Sequence, residues 1–386
     1  MGYHPPDTLQ EKPQQEKRMS RKAKAVLCRE LNKPIVVEEI EVAAPRRGEV
    51  TVKIGACGVC HSDLSATNGT IQMQLPLVLG HEAAGVVAEI GDGVTDLAPG
   101  DHVVSSFVHM CGKCRWCVIG KPHLCDSAAK TLFTLPDGTT PARDRTGNPV
   151  YVFSACGVMA EYATLSHDNL VKVDKSVPLD RAALVSCGVM TGVGAVFNTA
   201  RVEPGAAVMV IGAGGVGLNV IQGAAIAGAN PIVAVDVSAA KLDLAKAFGA
   251  THTINAAQEE NVVKAAKKIT GGGPDYCFEC IGLGKTIEQA FRSLRKGGKA
   301  VVVGVTRGED TVAVRPTALT FEEKTLTGSY FGSARPREDF PRLLGLYQAG
   351  RLKLDELITH RYRIDEAPQA FADLEAGKNA RGVIVF

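Results

Sequence analysis

Two short stretches of the chain, GVCHSD at 58–63 and GHE at 80–82, carry residue types that can hold a metal ion. Cys60 and His81 supply a thiolate and an imidazole, and Cys187 is the candidate for a third ligand. Two sulfur ligands and one nitrogen ligand leave the fourth position of a tetrahedral zinc site open for a substrate. Because buried cysteines are common, this pattern predicts a catalytic zinc only together with its neighbouring motifs.

A second metal motif follows, in which four cysteines lie close together along the chain. They are Cys111, Cys114, Cys117 and Cys125. Their spacing is typical of a closed structural zinc site with four thiolate ligands. An iron–sulfur cluster is the alternative, but the ferredoxin pattern has a shorter last spacing and a following proline. Disulfide bonds would need an oxidising compartment, which nothing else in the sequence indicates.

A glycine-rich turn between a strand and a helix predicts a dinucleotide site. The turn comprises Gly212, Ala213, Gly214, Gly215, Val216 and Gly217. It follows the apolar run AAVMVIG and precedes a helical stretch, and Asp236 follows nineteen residues after Gly217. Gly212 permits the tight turn, Gly214 lets the backbone approach a pyrophosphate, and Gly217 allows close packing of helix on strand. Asp236 would accept hydrogen bonds from ribose hydroxyls and repel a 2′-phosphate, which favours NAD over NADP.

The remaining elements of the second half alternate between helix and strand. Helices are predicted at 239–248, 259–270 and 285–295, with the strands THTIN, DYCFECIG and KAVVVGV between and after them. This alternation predicts a doubly wound parallel sheet. Cys277 and Cys280 lie three apart in one strand, so they point to opposite faces and are interpreted as core thiols.

The first half and the C-terminal end are predicted to be mostly β. Short strand-like runs separated by Pro, Gly and Arg fill 23–110, with one possible helix near 62–67, and favour an antiparallel, barrel-like domain. The segment 126–150 is interpreted as a loop or hairpin. The C-terminal part has a strand-like TLTGSYFG, a helix near 337–350 and a strand-like RGVIVF.

The overall composition limits the partners and the compartment. The chain has 386 residues, of which 45% are hydrophobic and 22% charged, with a net charge of +2. Two domains are expected at this length, and neither nucleic acid nor a membrane is an expected partner. Eleven cysteines without a signal peptide favour the reducing cytoplasm. Residues 1–22 are interpreted as a disordered tail.

In order and spacing, the GHE motif, the four-cysteine segment, the GAGGVG turn and the closing GKNARGVIVF resemble the zinc-containing medium-chain alcohol dehydrogenases. The resemblance covers about residues 23–386. It implies a mostly-β, barrel-like (GroES-like) catalytic domain at 23–188 and 332–386, with a structural zinc lobe at 105–130. It also implies a Rossmann coenzyme domain inserted at 189–331.

The resemblance implies roles for the residues around the catalytic zinc. Cys60, His81 and Cys187 would be its ligands, and Glu82 would stand behind it. Asp63 would orient the imidazole of His81, as a carboxylate behind a ligating histidine does. Ser62 would accept the alcohol proton with its hydroxyl oxygen. Two zinc ions per chain are expected, one catalytic and one structural.

The resemblance also implies contacts for the cofactor and the substrate. His61 and Arg381 are expected to contact the cofactor pyrophosphate, together with the glycine-rich turn at 212–217. Lys241 is expected at the adenosine ribose. The residues expected beside the nicotinamide are Thr191, Val303 and Val305. Phe107 and Phe153 match positions that wall the substrate pocket. The segment 126–150 accompanies homodimers in this family more often than tetramers.

Two departures from the family pattern bear on function. Many members carry a histidine three residues after the catalytic serine or threonine, and here that position is Ser65. The proton must then leave by a shorter or water-mediated route. The glutathione-dependent branch carries an acid and an arginine that hold glutathione carboxylates, and the corresponding residues here are Ile71 and Ala129. That branch is therefore disfavoured.

The sequence predicts an NAD-dependent zinc alcohol dehydrogenase. It would oxidise an alcohol reversibly to an aldehyde or ketone through zinc-assisted alkoxide formation and hydride transfer to nicotinamide. One alternative is a nicotinoprotein, in which NAD(H) stays bound and an external acceptor regenerates it. Another is a non-catalytic relative that binds zinc and nucleotide.

Overall fold

A computed structural model describes residues 19–386 of the chain. The predicted tail, 1–22, therefore lies largely outside the described residues. Its last two positions already belong to the first strand, which begins at Arg21. No helix within the described residues is both long and apolar enough to cross a bilayer.

The first part of the chain is built from short strands, as the Pro- and Gly-punctuated runs predict. They are β1 (Arg21–Cys28), β2 (Val36–Val42), β3 (Glu49–Val59), β4 (Leu77–Val78), β5 (Ala83–Ile90), β6 (His102–Ser105), β7 (Ala142–Arg143), β8 (Pro149–Val152), β9 (Tyr162–Ser166) and β10 (Leu170–Lys172). A closed barrel runs β1-β2-β7-β8-β4, and β7 and β8 form an antiparallel hairpin that begins in the segment 126–150, predicted as a loop or hairpin, and ends two residues beyond it. The pairing is antiparallel except between β4 and β8.

A second sheet carries the metal-ligand candidates. Its order is β10-β6-β5-β3-β18-β17, and β9 also pairs with β3. Strand β3 is almost wholly buried, because strands flank it and helix packing covers it. Short helices connect these strands: α1 (His61–Thr67), α2 (Arg115–Val118), α3 (Leu179–Leu184) and α4 (Gly188–Gly194), with single turns of 3₁₀-helix at Pro122–Leu124, Ala128–Thr131, Phe153–Ala155 and His167–Asn169. A π-helical turn, Ala195–Ala200, continues α4.

The second part is the predicted doubly wound parallel sheet. Its elements are β11 (Val208–Ile211), α5 (Gly215–Ile226), β12 (Ile232–Asp236), α6 (Ala239–Ala247), β13 (His252–Asn255), α7 (Val262–Ile269), β14 (Tyr276–Glu279), α8 (Gly284–Ser293), β15 (Lys299–Val302), α9 (Pro316–Phe321) and β16 (Thr325–Gly328). All six strands pair in parallel in the order β13-β12-β11-β14-β15-β16. Cys277 is fully buried in β14, so it is a core thiol as interpreted from the sequence. Cys280 follows β14 and is only partly buried, so it lies at the border of the core.

The C-terminal segment returns to the first part of the chain. It contains a 3₁₀ turn (Phe331–Ser333), α10 (Pro336–Gln348), β17 (Ile358–Arg363), a 3₁₀ turn (Ile364–Glu366), α11 (Ala367–Glu375) and β18 (Arg381–Val385). Strand β18 pairs antiparallel with β3, and Gly382 lies opposite Val59. This register brings Arg381 beside Cys60, which follows β3. Strand β18 thus joins the sheet of the first part of the chain, and the split catalytic domain with its limits stays a prediction.

Candidate active site

Three chain-distant residues meet where β3 and β4 end and α4 begins. Cys60 caps the N-terminus of α1, His81 lies between β4 and β5, and Cys187 caps the N-terminus of α4. The Nε2 atom of His81 lies 3.3 Å from the Sγ atom of Cys187, 106 residues further along the chain. All three side chains are buried. The structure therefore brings together the three ligands predicted for a catalytic zinc.

The geometry of this cluster fits zinc. One ligand atom from each of Cys60, His81, Glu82 and Cys187 lies within 4.8 Å of the others. Tetrahedral zinc at ordinary bond lengths separates a sulfur from a nitrogen ligand by about 3.6 Å. A hydrogen bond from Cys187, followed by one from His81, holds the pKa of the Cys60 thiol well below its usual range. A thiolate, the form that binds metal, is thus favoured at Cys60.

Asp63 lies behind His81, and its expected role in orienting the imidazole stays a prediction. Its carboxylate is fully buried and accepts a hydrogen bond from the backbone N–H of Gly80 at 2.9 Å. The same oxygen lies 3.4 Å from Nδ1 of His81, and the other accepts the N–H of Cys60 at 3.3 Å. The imidazole therefore presents Nε2 to the ligand cluster. The hydroxyl of Ser62 lies 3.8 Å from the sulfur of Cys60, beside the same cluster.

Glu82, which was expected to stand behind the zinc, also belongs to the cluster of possible metal ligands. One of its carboxylate oxygens is paired with the guanidinium of Arg381, and the other is buried without a partner among residues 19–386. Burial raises the pKa of Glu82 to about 7, against the lowering influence of the Arg381 charge. One carboxylate oxygen of Glu82 belongs to the four-residue cluster, so Glu82 is itself a candidate ligand as well as a residue behind the zinc.

The four-cysteine segment forms a second compact cluster. The four sulfur atoms lie within 4.8 Å of one another, and those of Cys114 and Cys125 are 3.8 Å apart. Two zinc–sulfur bonds at the tetrahedral angle predict about 3.8 Å. The backbone N–H of Cys117 and other hydrogen bonds lower the pKa of Cys114 to about 6. The hydroxyl of Ser127 lies 2.9 Å from the sulfur of Cys125. None of the eleven cysteines, all within the described residues, is in a disulfide bond.

The glycine-rich turn has the conformation that its sequence predicts. Gly212 has φ +94°, a left-handed conformation that admits the tight turn. A Cβ atom on Gly217 would come within 1.8 Å of the Gly212 carbonyl oxygen, so only glycine allows α5 to pack this closely on β11. A Cβ on Gly214 would meet no described atom within 4 Å, so this side of the turn is open. The geometry fits a pyrophosphate placed over the turn and the N-terminus of α5.

The residues expected at the ribose and pyrophosphate surround this turn. Asp236 ends β12, and its carboxylate accepts the N–H groups of Ala213 at 2.8 Å and Ser238 at 2.9 Å. Desolvation lowers the pKa of His61, and the positive charges of Arg381 and Lys241 lower it further. The lowered pKa favours a neutral imidazole at His61, so the positive charge that suits an anionic ligand comes from Arg381 and Lys241.

Arg381 makes contacts beyond the pyrophosphate contact that the resemblance implies, and that contact itself stays a prediction. Its side chain is buried and paired with Glu82, and its Nε has no partner within the described residues. A Cβ on Gly215 would lie 2.8 Å from Cδ of Arg381. Arg381 therefore spans the gap between the metal-ligand cluster and the dinucleotide turn.

The three residues expected beside the nicotinamide lie in α4 and in the segment that follows β15. Thr191 is in the first turns of α4, and its N–H donates to the Cys187 carbonyl at 2.8 Å. Val303 follows β15 and is 9% exposed, whereas Val305 is 67% exposed. Val216 lies in the first turn of α5. Their contacts with a nicotinamide stay a prediction.

Aromatic rings pack on the metal-ligand candidate His81. The rings of Phe107 and Phe153 meet its imidazole edge-on, with centroids 5.5 and 5.2 Å away. The sequence reasoning missed two further rings, since Phe331 lies 4.1 Å and Tyr330 6.1 Å from Phe107. Their position directly after the last parallel strand could have revealed them, because sites gather at the carboxyl ends of such strands.

Comparisons with known proteins decide the family. The family model "Alcohol dehydrogenase GroES-like domain" matches residues 46–175, and "Zinc-binding dehydrogenase" matches residues 215–349. An "NDMA-dependent alcohol dehydrogenase" of Amycolatopsis methanolica is 42% identical over 94% of this chain and 99% of its own. The chain belongs to the zinc-containing medium-chain alcohol dehydrogenase family.

Other alcohol dehydrogenases resemble this member over nearly its whole length. An "S-(hydroxymethyl)glutathione dehydrogenase" of Saccharomyces cerevisiae is 39% identical over 93% of this chain and 95% of its own. The crystal structure of a benzyl alcohol dehydrogenase from Acinetobacter calcoaceticus matches with a TM-score of 0.88 and 34% identity, covering 95% of this chain and 99% of that one. This alcohol dehydrogenase is an enzyme with the GroES-like and Rossmann architecture that the sequence predicts.

Proposed function

We propose that this alcohol dehydrogenase uses NAD to oxidise alcohols to aldehydes or ketones, with one catalytic and one structural zinc per chain. The observation that carries the proposal is the arrangement around Arg381. Its guanidinium pairs with Glu82 in the metal-ligand cluster, and its side chain lies against Gly215 in the dinucleotide turn. Because the single side chain of Arg381 contacts both, the metal site and the nucleotide site are close enough to act on the same substrate molecule.

The side chains of the metal-ligand cluster, the hydroxyl of Ser62 and the glycine-rich turn would each have a defined role in this reaction. A bound zinc would supply Lewis acidity that lowers the pKa of a hydroxyl group toward neutrality. Cys60, His81 and Cys187 would hold it, with Glu82 as an additional candidate ligand. Ser62 would take the hydroxyl proton. The substrate's hydride would pass to the nicotinamide, oriented by the turn around Gly214.

Asp236 supports NAD rather than NADP as the cofactor. Its carboxylate lies at the carboxyl end of β12, the position from which dinucleotide-binding folds of this type hydrogen-bond an adenosine ribose. A 2′-phosphate there would face a carboxylate of like charge.

An absorbance assay of NADH formation tests the proposal directly. Zinc-loaded protein would be assayed with NAD and a panel of primary, secondary and aryl alcohols. We expect turnover of at least one alcohol and its loss in Cys187→Ser. No turnover of any alcohol, with NAD or with an artificial acceptor, would contradict the proposal and favour a non-catalytic zinc- and nucleotide-binding relative.

A nicotinoprotein is the second candidate, because one similar protein is named an NDMA-dependent alcohol dehydrogenase, which leaves a cofactor arrangement other than free NAD open for this chain. In that case NAD(H) would remain bound through catalysis. Protein purified without added cofactor would then absorb near the NADH maximum after treatment with an alcohol. It would turn over with an artificial acceptor but not with free NAD alone.

We further propose that the enzyme forms a homodimer. Within the described residues, β16 pairs only with β15, so it ends the parallel sheet with an unpaired edge. Two large apolar side chains shortly before β16 in the sequence, Leu319 and Phe321, are exposed to solvent. The side chain of Phe321 is 79% exposed. Sedimentation equilibrium distinguishes a dimer from the tetramer that remains the alternative.

A further inference from the structure

The hydroxyl of Ser127 lies between a sulfur of the four-cysteine cluster and a buried imidazole. It is 2.9 Å from the sulfur of Cys125 and 2.7 Å from Nδ1 of His109. The backbone carbonyl oxygen of His109 lies 3.4 Å from the same hydroxyl. His109 comes two residues before the first cysteine of the cluster, Cys111, and Ser127 comes two residues after the last. The contact between them therefore joins the two ends of the segment that carries all four cysteines.

Both partners of this contact are held in place by their surroundings. The side chain of His109 is 6% exposed, and its second ring nitrogen, Nε2, faces a carboxylate oxygen of Asp168 at 3.8 Å. This distance is too long for a hydrogen bond, which leaves Nδ1 as the nitrogen that bonds a side chain. The backbone carbonyl of Ser127 accepts the N–H of Lys130 at 3.0 Å, and the hydroxyl of Thr131 lies 3.2 Å from the same oxygen. These contacts keep the Ser127 hydroxyl beside the sulfur.

Proton counting gives the direction of the two hydrogen bonds when the cluster holds a metal. A serine hydroxyl has a single proton to donate, and its oxygen can also accept. A cysteine that ligates a metal is a thiolate, which can only accept. The hydroxyl of Ser127 must then donate to the sulfur of Cys125, so its oxygen accepts from the Nδ1–H group of His109. The opposite direction needs a protonated thiol at Cys125, and a thiol is not the form that binds metal.

We propose that His109 is a positioning residue for the structural zinc and that it acts through Ser127. Its Nδ1–H group holds the hydroxyl oxygen, so that the O–H bond points at the sulfur of Cys125 and stabilises the thiolate. Hydrogen bonds with a charged partner are about twice as strong as neutral ones, and successive hydrogen bonds polarise one another. The inference rests on the structural zinc of the proposed function and adds the residues that support one of its ligands. Loss of either side chain is therefore expected to weaken zinc binding without removing a ligand.

The affinity of the four-cysteine cluster for zinc measures this role. Full-length protein carrying Cys187→Ser is the background, because the zinc that it is expected to retain lies in the four-cysteine cluster. The zinc-loaded protein is titrated with a chelator of known zinc affinity, and the zinc-bound chelator is followed by absorbance. We expect Ser127→Ala and His109→Leu each to weaken zinc binding about 10- to 100-fold, the usual effect of removing the partner of a metal ligand.

Two further variants separate positioning from packing. His109→Asn places an amide N–H close to the position of Nδ1 and is expected to retain the affinity of the background protein. The double variant of Ser127→Ala and His109→Leu is expected to bind zinc no more weakly than the weaker single variant, because the imidazole acts only through the hydroxyl. A role of His109 in packing alone would instead give additive losses and no rescue by asparagine.

Ser293→Ala is the matched control. It removes a buried hydroxyl that donates to the Gln289 carbonyl at 2.8 Å in α8, in the parallel-sheet part of the chain. The zinc affinity of the four-cysteine cluster is expected to stay unchanged in this variant. A loss equal to that in Ser127→Ala would overturn the inference, because any lost buried hydroxyl would then have the same effect.

Unchanged zinc affinity in Ser127→Ala would also overturn the inference, and so would additive losses or a loss in His109→Asn equal to that in His109→Leu. If His109→Leu does not fold, the ¹⁵N chemical shifts of the His109 ring in the zinc-loaded wild type decide, with His109→Asn identifying its signals. A proton on Nδ1 is expected, and an unprotonated Nδ1 overturns the inference. A background protein that holds no zinc in the four-cysteine cluster would instead contradict the structural zinc itself, and the inference with it.

Discussion

Glu82 and Arg381, which are 299 residues apart in the chain, form a buried ion pair between the metal-ligand cluster and the dinucleotide turn. The side chains are 0% and 6% exposed. Each charge would be costly to bury alone, so the pair couples the closing strand β18 to the loop that carries His81. The C-terminal segment is thereby tied to both halves of the candidate site.

Separating this pair is expected to destabilise the fold. Glu82→Gln and Arg381→Gln each leave a buried partner unpaired, which costs about 3–5 kcal/mol. The double variant is expected to lose less than the sum of the two single variants, because both charges are then gone. Thermal unfolding at fixed zinc concentration measures this. Lys246→Ala, which breaks an exposed ion pair with Asp243, serves as control and is expected to change stability by at most about 1 kcal/mol. Strictly additive losses would show that the pair is not energetically coupled.

The two cysteine clusters are expected to respond differently to substitution. Cys60→Ser or Cys187→Ser should abolish turnover and leave a folded protein with one zinc. Cys114→Ser should destabilise the lobe at 105–130, because a structural zinc contributes folding free energy directly. Metal analysis and thermal unfolding measure both effects.

Cys28→Ser is the matched control for these substitutions, because Cys28 is buried outside both clusters. It is expected to retain two zinc ions and turnover. A Cys114→Ser protein with full stability and two zinc ions would be incompatible with the assignment of two separate sites.

Asp236 is expected to set the choice of cofactor. A like-charge contact with a 2′-phosphate costs on the order of 1–3 kcal/mol, or roughly tenfold to a hundredfold in preference. Asp236→Gly should therefore narrow the gap between NAD and NADP, mainly through weaker binding of NAD. Comparison of kcat/KM for the two cofactors tests this. A wild-type enzyme that prefers NADP would contradict the assignment of Asp236.

Ser62 is expected to carry the substrate proton. Ser62→Ala should lower kcat for alcohol oxidation at pH 7 by roughly 100- to 10,000-fold, with zinc retained, because it removes general acid–base assistance. Raising the pH should partly restore the rate, since hydroxide can then take the proton. An unchanged kcat together with a chemistry-limited solvent isotope effect would show that the proton leaves by another route.

Ser65→His tests the outer part of the same proton route. If proton exit through the cofactor ribose is slow, the new imidazole is expected to increase oxidation at neutral pH. If water already reaches the ribose, or if hydride transfer or product release limits the rate, no change is expected. The pH profiles of kcat for wild type and variant distinguish the two cases.

The sequence alone determined those features that depend on local spacing. The cysteines at 111–125 and the turn at 212–217 are compact segments, so residue type and spacing were enough to identify each one. The alternation of helix and strand likewise predicted the parallel sheet. Strand β17 and helices α3, α4 and α11 were not predicted, because they are short and their burial depends on partners elsewhere in the chain.

Only the tertiary structure decided which distant side chains share the site. The identity of Cys187 as a candidate ligand came from family resemblance, and its 3.3 Å approach to His81 depends on the packing of α4. The pairing of Arg381 with Glu82 follows from the register of β18 on β3, and the chain of ring contacts from His81 to Tyr330 joins separate loops or turns. Local sequence patterns specify the backbone conformation of the residues within them. The contacts described here arise instead from long-range strand pairing and core packing, which no short motif encodes.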